Sequence, residues 1–325
     1  MLLRRQLLAA ASLLALTGAG ALAQPAWPSQ PVRIVVPTGA GSSLDLIVRL
    51  MIDKLAARWG QPVFIDNKAG AGGLLGMDAV AKASDGHTVG IGFNGPLAYA
   101  PFLYAKVPYD PAKDLKAIVM TTSQANVLAI STDKVPARTL AEFIAWAKAQ
   151  GGKMNYSSLG QGSSAHLTME LFLHEAGLQA VHVPFNGSPP AAMALAQGTA
   201  DASFMVAPAL LPHVQSGKVR MIAISAGAKP DSLKDLPSLA EAGYPRVEAL
   251  AWNGLVGPAA ISDAAVARIN ADVNDLLAKD AALRDAMAKN GLTIVGGSAA
   301  DFRRFIDADV ARWGPVITRL GVKLN

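Results

Sequence analysis

Val32-Arg33-Ile34-Val35-Val36-Pro37-Thr38-Gly39-Ala40-Gly41-Ser42-Ser43-Leu44-Asp45 divides into three parts. Five residues rich in β-branched side chains predict a strand, the small residues after Pro37 predict a tight turn, and the apolar spacing over 44–58 predicts a helix. A strand feeding a helix through a glycine turn opens a βαβ unit, so a parallel sheet is expected. The turn also carries chemistry. Small side chains let backbone N–H groups approach a ligand, and a helix start adds free donors with partial positive charge, which suits a carboxylate or phosphate. It is neither a dinucleotide fingerprint, because position 44 is leucine, nor a phosphate loop, because no Lys-Ser/Thr follows. Ser43 is the expected helix cap.

Outward from this unit, strands are predicted at 63–66 and 88–93 with a helix over 74–82 between them. A second series begins at 127–130. It continues with helix 139–149, strand 154–157, helix 163–175, strand 181–184, helix 189–196, strand 201–204, helix 207–216 and strand 220–225. Pro230, Pro237, Gly243 and Pro245 mark 226–246 as a connector. Residues 247–256 read as extended and 262–322 as mainly helical, with too few strands for a sheet of their own. The expected fold is α/β with two lobes, a mostly parallel sheet in each, and crossings near 120–127 and 245–257. Such lobes enclose a cleft at the carboxyl ends of their strands. Lobe 1 is then 24–125 plus the mainly helical return segment 247–325, and lobe 2 is 126–246; one large doubly wound domain is the alternative.

Residues 1–23 combine Arg4 and Arg5, a short apolar run, and the small-residue end Ala21-Leu22-Ala23. That is the pattern of a secretory signal peptide, too short in its apolar part for the roughly 20 residues of a membrane span. The expected location is the periplasm, without a lipid anchor, because the chain contains no cysteine to carry one. The missing cysteines also exclude disulfides, thiol catalysis and thiolate metal sites. Removing the leader lowers the formal charge from +5 to +3, and the remaining cations are scattered singly. Nucleic acid is therefore not an expected partner, while a small anion is.

A second turn of the same kind, Ser157-Ser158-Leu159-Gly160-Gln161-Gly162-Ser163-Ser164, lies in the second series. One such turn per lobe makes Thr38, Gly39, Ala40, Gly41, Ser42, Ser43, Ser157, Ser158, Gly162, Ser163 and Ser164 candidate ligand-binding residues. Asn186 and Gly187, after the strand 181–184, and Asp201, a candidate acceptor for a ligand amine, complete the set. Asn67 to Gly73 is read as a structural turn opening a helix. His166 and Glu170 share a helical face, but no third ligand accompanies them, so neither a metal nor a cofactor is expected. Catalytic motifs are missing: there is no G-x-S-x-G and no H-E-x-x-H, and the S-x-x-K at Ser131 lacks its companions. A Ser163 nucleophile with His166 as base has no orienting acid, so a secreted serine hydrolase is a rival reading and a non-enzyme is expected.

Together, Trp27-Pro28-Ser29-Gln30-Pro31-Val32-Arg33-Ile34-Val35-Val36-Pro37, the turn with Asp45 and Arg49, Asp66-Asn67-Lys68-Ala69-Gly70-Ala71-Gly72-Gly73, Pro108-Tyr109-Asp110-Pro111, residues 157–166, His182-Val183-Pro184-Phe185-Asn186-Gly187 and Trp252-Asn253-Gly254-Leu255 resemble the Bug, or TctC, family. These are extracytoplasmic solute receptors of tripartite tricarboxylate transporters. The resemblance implies a periplasmic-binding-protein fold of the Venus-flytrap, type II-like kind. It also implies a small carboxylate held by loops of both lobes and delivered to membrane permease subunits by a monomeric receptor. An orphan receptor serving signalling is a further alternative. Thr38 stands where the family usually has an aromatic residue, and Gly41-Ser42 where it usually has paired glycines.

Overall fold

In the computed structural model, which describes residues 27–226, 229 and 233–324, β1 (Val32–Val36) lies inside a sheet, with only Arg33 not fully buried. It runs parallel to both of its neighbours, β2 (Val63–Asn67) and β3 (Thr88–Phe93). The leader 1–23 lies outside the described residues. The helix after β1, α1 (Ser43–Trp59), is capped by Ser42, one residue before the expected cap, and closed by Gly60 at φ 63°. Leu44, Ile47, Val48, Met51 and Leu55 form its buried stripe, each worth roughly 1.5–3 kcal/mol of burial for a large aliphatic side chain. After β2, α2 (Leu74–Ala81) leads into β3, and a π turn at Gly95–Tyr99 leads into the short α3 (Ala100–Leu103).

The next strand was not anticipated. β4 (Leu115–Ala125) spans 11 residues and passes through Asn126 directly into β5 (Val127–Ser131) of the second lobe. The second lobe adds α4 (Leu140–Ala149), β6 (Asn155–Ser158), α5 (Ser164–Ala176), β7 (Val181–Pro184), α6 (Ser188–Ala196), β8 (Ala202–Met205), α7 (Ala207–Gln215) and β9 (Val219–Ile224). β10 (Leu250–Pro258) re-enters lobe 1, followed by α8 (Asp263–Lys279), α9 (Ala281–Lys289), β11 (Thr293–Ile294) and α10 (Ala299–Leu320). The sheet orders are β11-β4-β10-β3-β1-β2 and β7-β6-β8-β5-β9.

Both sheets are mixed, so the expectation of mostly parallel ones holds only in part: β1, β2 and β3, and β6, β7 and β8, are parallel. β10 lies antiparallel to β3 and β4, β11 antiparallel to β4, and β5 antiparallel to β8 and β9. The reason is topological. Strands joined by crossover helices within a lobe end at the cleft and share one direction, whereas β5 and β10 enter their lobes from the cleft and run the other way. Ser225, just after β9, ties the two crossings together: Asn126 N–H donates to Ser225 Oγ at 2.9 Å and Ser225 N–H to the Asn126 carbonyl at 2.8 Å, while Ala249 N–H donates to the Ser225 carbonyl at 2.8 Å.

One hydrophobic cluster runs from Leu97 and Trp252 in lobe 1 to Phe143 and Phe172 in lobe 2, with α10 contributing Phe302, Ile306, Trp313 and Ile317. The spacing of those four residues sets a single apolar stripe on α10. Phe302 meets Trp252 edge to face, with ring centroids 5.7 Å apart. The helix starts with a capping box between Ser298 and Asp301. Among the described residues, no helix is long and apolar enough to cross a membrane.

Candidate ligand-binding cleft

Asp45, buried beneath the first turn, organises it. Its Oδ2 accepts Gly41 N–H at 2.8 Å and Arg49 Nε at 2.7 Å, and its Oδ1 accepts Asn67 Nδ2 at 3.0 Å. Burial opposes the charge, but the bonds from Arg49, Gly41 and Asn67 prevail and hold the carboxyl below its ordinary range. Asn67 Nδ2 also donates to the Thr38 carbonyl at 3.2 Å, and Thr38 Oγ1 sits 2.6 Å from Ser42 Oγ. The turn is thus fixed from below.

In lobe 2, Ser163 caps α5 by accepting His166 N–H, and its hydroxyl donates to the Gly160 carbonyl at 2.7 Å. Ser164, the next residue, reaches the cleft. Gly187, at φ 116°, starts α6 without a side-chain cap, and Val206 does the same for α7. Ser43, Ser164, Ser188 and Val206 therefore bring the starts of four helices, one from lobe 1 and three from lobe 2, to one interlobe cavity. Among the described residues, no Asp, Glu, Lys, Arg or His lines it. Leu44, Phe93, Leu159 and Trp252 supply apolar walls.

The lobe 1 floor is a directed network. Thr121 and Thr122 hydroxyls donate to Asn253 Oδ1 at 2.7 and 2.9 Å, and Gln124 Nε2 donates to Thr122 Oγ1 at 2.6 Å. Asn253 Oδ1 is occupied on both sides, which leaves its Nδ2 as the donor for the cavity it lines. Asn94 Oδ1 accepts Trp252 N–H at 3.0 Å, and Trp252 Nε1 donates to Asp309 Oδ2 at 2.7 Å. Burial raises the Asp309 carboxyl above its ordinary range despite its bonds to Trp252, Tyr99 and Asn94.

Of the residues singled out in the sequence, Thr38, Ser42, Ser43 and Ser164 line the cavity. Ser163, Asn186 and Gly187 line a narrower pocket at its mouth, which Thr38 shares. Gly39 lies where the lobes meet: a Cβ there would stand 3.2 Å from the Asn186 carbonyl oxygen. Ala40 and Gly41 are exposed at the rim. Ser157 and Ser158 are fully buried below the second turn, where Ser157 donates to the Ala191 carbonyl and Ser158 Oγ sits 2.7 Å from His182 Nε2. Gly162 donates its N–H to His166 Nδ1 at 3.1 Å. Asp201 sits at the start of β8, the end away from the cleft, with its carboxylate accepting Asn155 N–H at 2.9 Å. Asn94, Gln124, Asn126, Ser188, Trp252 and Asn253 line the cavity without having been singled out for it. Asn94 had a signal, since it directly follows the predicted strand 88–93, at its carboxyl end.

Ser163 and His166 form no dyad, because the serine is committed to the cap and His166 Nδ1 to Gly162 N–H. His166 instead stacks on His182 with centroids 4.0 Å apart, and Tyr156 covers His182 at 4.8 Å. Burial lowers His166 to about 3, helped by His182, and burial lowers His182 to about 4.

Two α/β lobes, paired crossings and a cavity ringed by helix starts define a two-lobed solute-binding protein of the periplasmic-binding-protein fold. Residues 47–322 match the model of the tripartite tricarboxylate transporter family receptor, TctC, and the chain belongs to that family. Protein BugT of Bordetella pertussis is 33% identical over 301 residues, covering 92% of this chain and 92% of BugT. R. palustris Rpa4515, solved with adipate, superposes with a TM-score of 0.88 at 31% identity, over 92% of this chain and 100% of that one. MatC from Rhodopseudomonas palustris, solved with bound malate, gives a TM-score of 0.84 at 29% identity, over 90% and 100%. The Bug/TctC resemblance read from the motifs is thereby established.

Proposed function

We propose that this chain is a periplasmic receptor that captures a small carboxylate between its lobes and passes it, unchanged, to the membrane subunits of a tripartite transporter. The observation that carries this reading is the convergence of four helix starts on a cavity that, among the described residues, is lined by no charged side chain. Each start presents the equivalent of roughly half a positive charge, and those of α1 and α5 add free N–H groups, whereas Pro189, Pro190 and Pro208 leave fewer donors at α6 and α7. Such a site offsets the desolvation of an anion with donors already aimed at it. The adipate and malate bound by Rpa4515 and MatC support the same ligand class.

In this reading Thr38, Ser42, Ser43 and Ser164 contact the ligand together with Asn94, Ser188 and Asn253. Gly39, Ala40, Gly41, Asn186 and Gly187 close the mouth over it. The lobes are 24–125 with 247–325, and 126–246. The leader 1–23 is removed, and the receptor acts as a monomer free of any lipid tether. Calorimetry of the purified chain against mono-, di- and tricarboxylates and uncharged analogues of the same length tests the proposal. Saturable binding of carboxylates alone is expected; saturable binding of uncharged solutes alone overturns it.

A further inference from the structure

Asn94 and Trp252 line the cavity from lobe 1, each 1% exposed, and both are held from behind by Asp309 of α10. Asp309 Oδ2 accepts the Trp252 indole Nε1–H at 2.7 Å and Asn94 Nδ2 at 3.3 Å. The Asn94 amide has one orientation. Its Oδ1 accepts the Trp252 backbone N–H at 3.0 Å and its Nδ2 donates to the Leu250 carbonyl at 3.1 Å, two backbone groups whose roles cannot reverse. Nδ2 also donates to Tyr99 Oη at 2.8 Å, which leaves the Tyr99 proton for Asp309. Donors from three side chains thus meet at one carboxylate, which stands a single side-chain layer behind the cavity wall.

That carboxylate has no close counter-charge. The titratable and charged groups around it are Tyr99 on the π turn and Arg312 on α10 itself, with Glu248 beyond Arg312. Arg312 is exposed and donates to the Glu248 carbonyl; among the described residues, no Lys, Arg or His forms an ion pair with Asp309. Burial already holds the Asp309 carboxyl above its ordinary range. An anion on the far side of Asn94 and Trp252 adds a like charge, which disfavours the ionised form further. We propose that Asp309 is a positioning residue for the ligand cavity and that its proton is linked to the ligand. Ionised, it orients the Trp252 indole and the Asn94 amide but opposes an anion beyond them; protonated, it keeps an oxygen for both and no longer opposes it. Binding of a carboxylate therefore takes up a proton at Asp309, and by reciprocity protonation of Asp309 strengthens binding. Because the carboxyl titrates higher in the bound than in the free protein, affinity is greatest below the free value and falls as pH rises through the bound one. Protonation of the ligand's own carboxylates acts in the opposite sense. The inference rests on the carboxylate reading above and adds to it a residue outside the cavity.

Butyrate, succinate, malate, adipate and citrate are titrated by calorimetry into the purified chain and into Asp309→Asn, in pairs of buffers that differ in ionisation enthalpy, at a pH of about 5 and again at about 7.5. Comparing the two proteins with one ligand at one pH cancels the ligand's own protons. With each carboxylate that binds, the wild type is expected to take up more protons than Asp309→Asn at the lower pH, by up to about one per site. Asp309→Asn keeps an oxygen for Trp252 Nε1 and loses the charge. It is expected to bind about ten-fold more tightly than wild type at the higher pH and within about two-fold of it at the lower. Asp309→Ala loses the oxygen as well and is expected to bind more weakly than Asp309→Asn at both, which separates positioning from charge. Thermal melts check the folding of both variants. The wild-type profile stands without them: its affinity, corrected for the ligand's own titration, is expected to rise from the higher pH to the lower. Equal proton uptake in wild type and Asp309→Asn, an Asp309→Ala that binds as tightly as Asp309→Asn, or a corrected wild-type affinity that is flat with pH overturns this inference alone. Binding of none of these carboxylates overturns the carboxylate reading and this inference with it.

Discussion

Gly72 offers a direct test of whether ligand binding draws the lobes together. It belongs to the turn Ala71–Gly73 in lobe 1 and adopts φ 62°, and a Cβ there would stand 2.4 Å from the Gln161 carbonyl oxygen of lobe 2. The other close atom is Tyr104 Oη at 2.8 Å, from lobe 1 itself. Gly72→Ala in a Tyr104→Phe background removes that second contact, so that the clash left is the one between lobes. The left-handed backbone costs alanine about 1–2 kcal/mol in any state of the protein. Gly60→Ala measures this cost separately, because Gly60 has φ 63° and nothing within 4 Å of its Cβ position. Overpacking the interlobe contact adds about 1–3 kcal/mol to the closed state only, which weakens ligand binding roughly five- to 150-fold. Calorimetric Kd values and thermal melts of Tyr104→Phe, Gly72→Ala/Tyr104→Phe and Gly60→Ala check this. Gly60→Ala is expected to melt earlier with its Kd unchanged, and the double variant to lose both stability and affinity. A double variant that binds within two-fold of Tyr104→Phe refutes the coupling of closure to binding.

Trp252 lines the cavity, so its fluorescence is expected to respond to a bound carboxylate; Trp252→Phe should abolish the change, and a full response in that variant refutes the placement. Asp45→Asn is expected to cost about 1.5–3 kcal/mol at neutral pH through loss of charge-assisted bonds, measured by denaturant unfolding. Because the folded carboxyl titrates below its unfolded value of 3.8, its contribution is present above that pH and is lost as pH falls through the lower folded value. The gap between wild type and Asp45→Asn should therefore close in acid, and a gap that is constant with pH sinks the assignment. The stacked histidines act over a different window. Unfolded His166 and His182 take up a proton near 6.5 but folded ones only near 3 and 4, so stability is full above 6.5 and falls as pH drops through that interval. The slope is about 1.4 kcal/mol per pH unit per ring, and a His182→Gln variant should show a shallower fall in melting temperature between pH 6.5 and 4.5. An unchanged slope counts against it.

Local signals carried much of this protein. The β-branched run 32–36 became a strand because such side chains fit a pleated, buried surface, and the small-residue turns became helix starts because they leave N–H groups free. The order and type of nearly all the remaining elements followed from the same periodicities. β4 escaped because Leu115-Lys116-Ala117-Ile118 and the polar Thr121-Thr122-Ser123-Gln124 alternate poorly, and it is neighbours on both sides, β10 and β11, that make this stretch a strand. Strand direction was likewise invisible, since it depends on whether the chain enters a lobe from the cleft or returns to it through a helix. The site divides in the same way. Thr38, Ser42, Ser43 and Ser164 are local to their turns and were legible, whereas Asn126, Trp252 and Asn253 join them only because the crossings converge. The sequence by itself determined which segments can present N–H groups to an anion. The tertiary structure decided that four of them share one cavity and that Asp201 lies at the opposite strand end, because packing and not sequence spacing sets which distant groups meet.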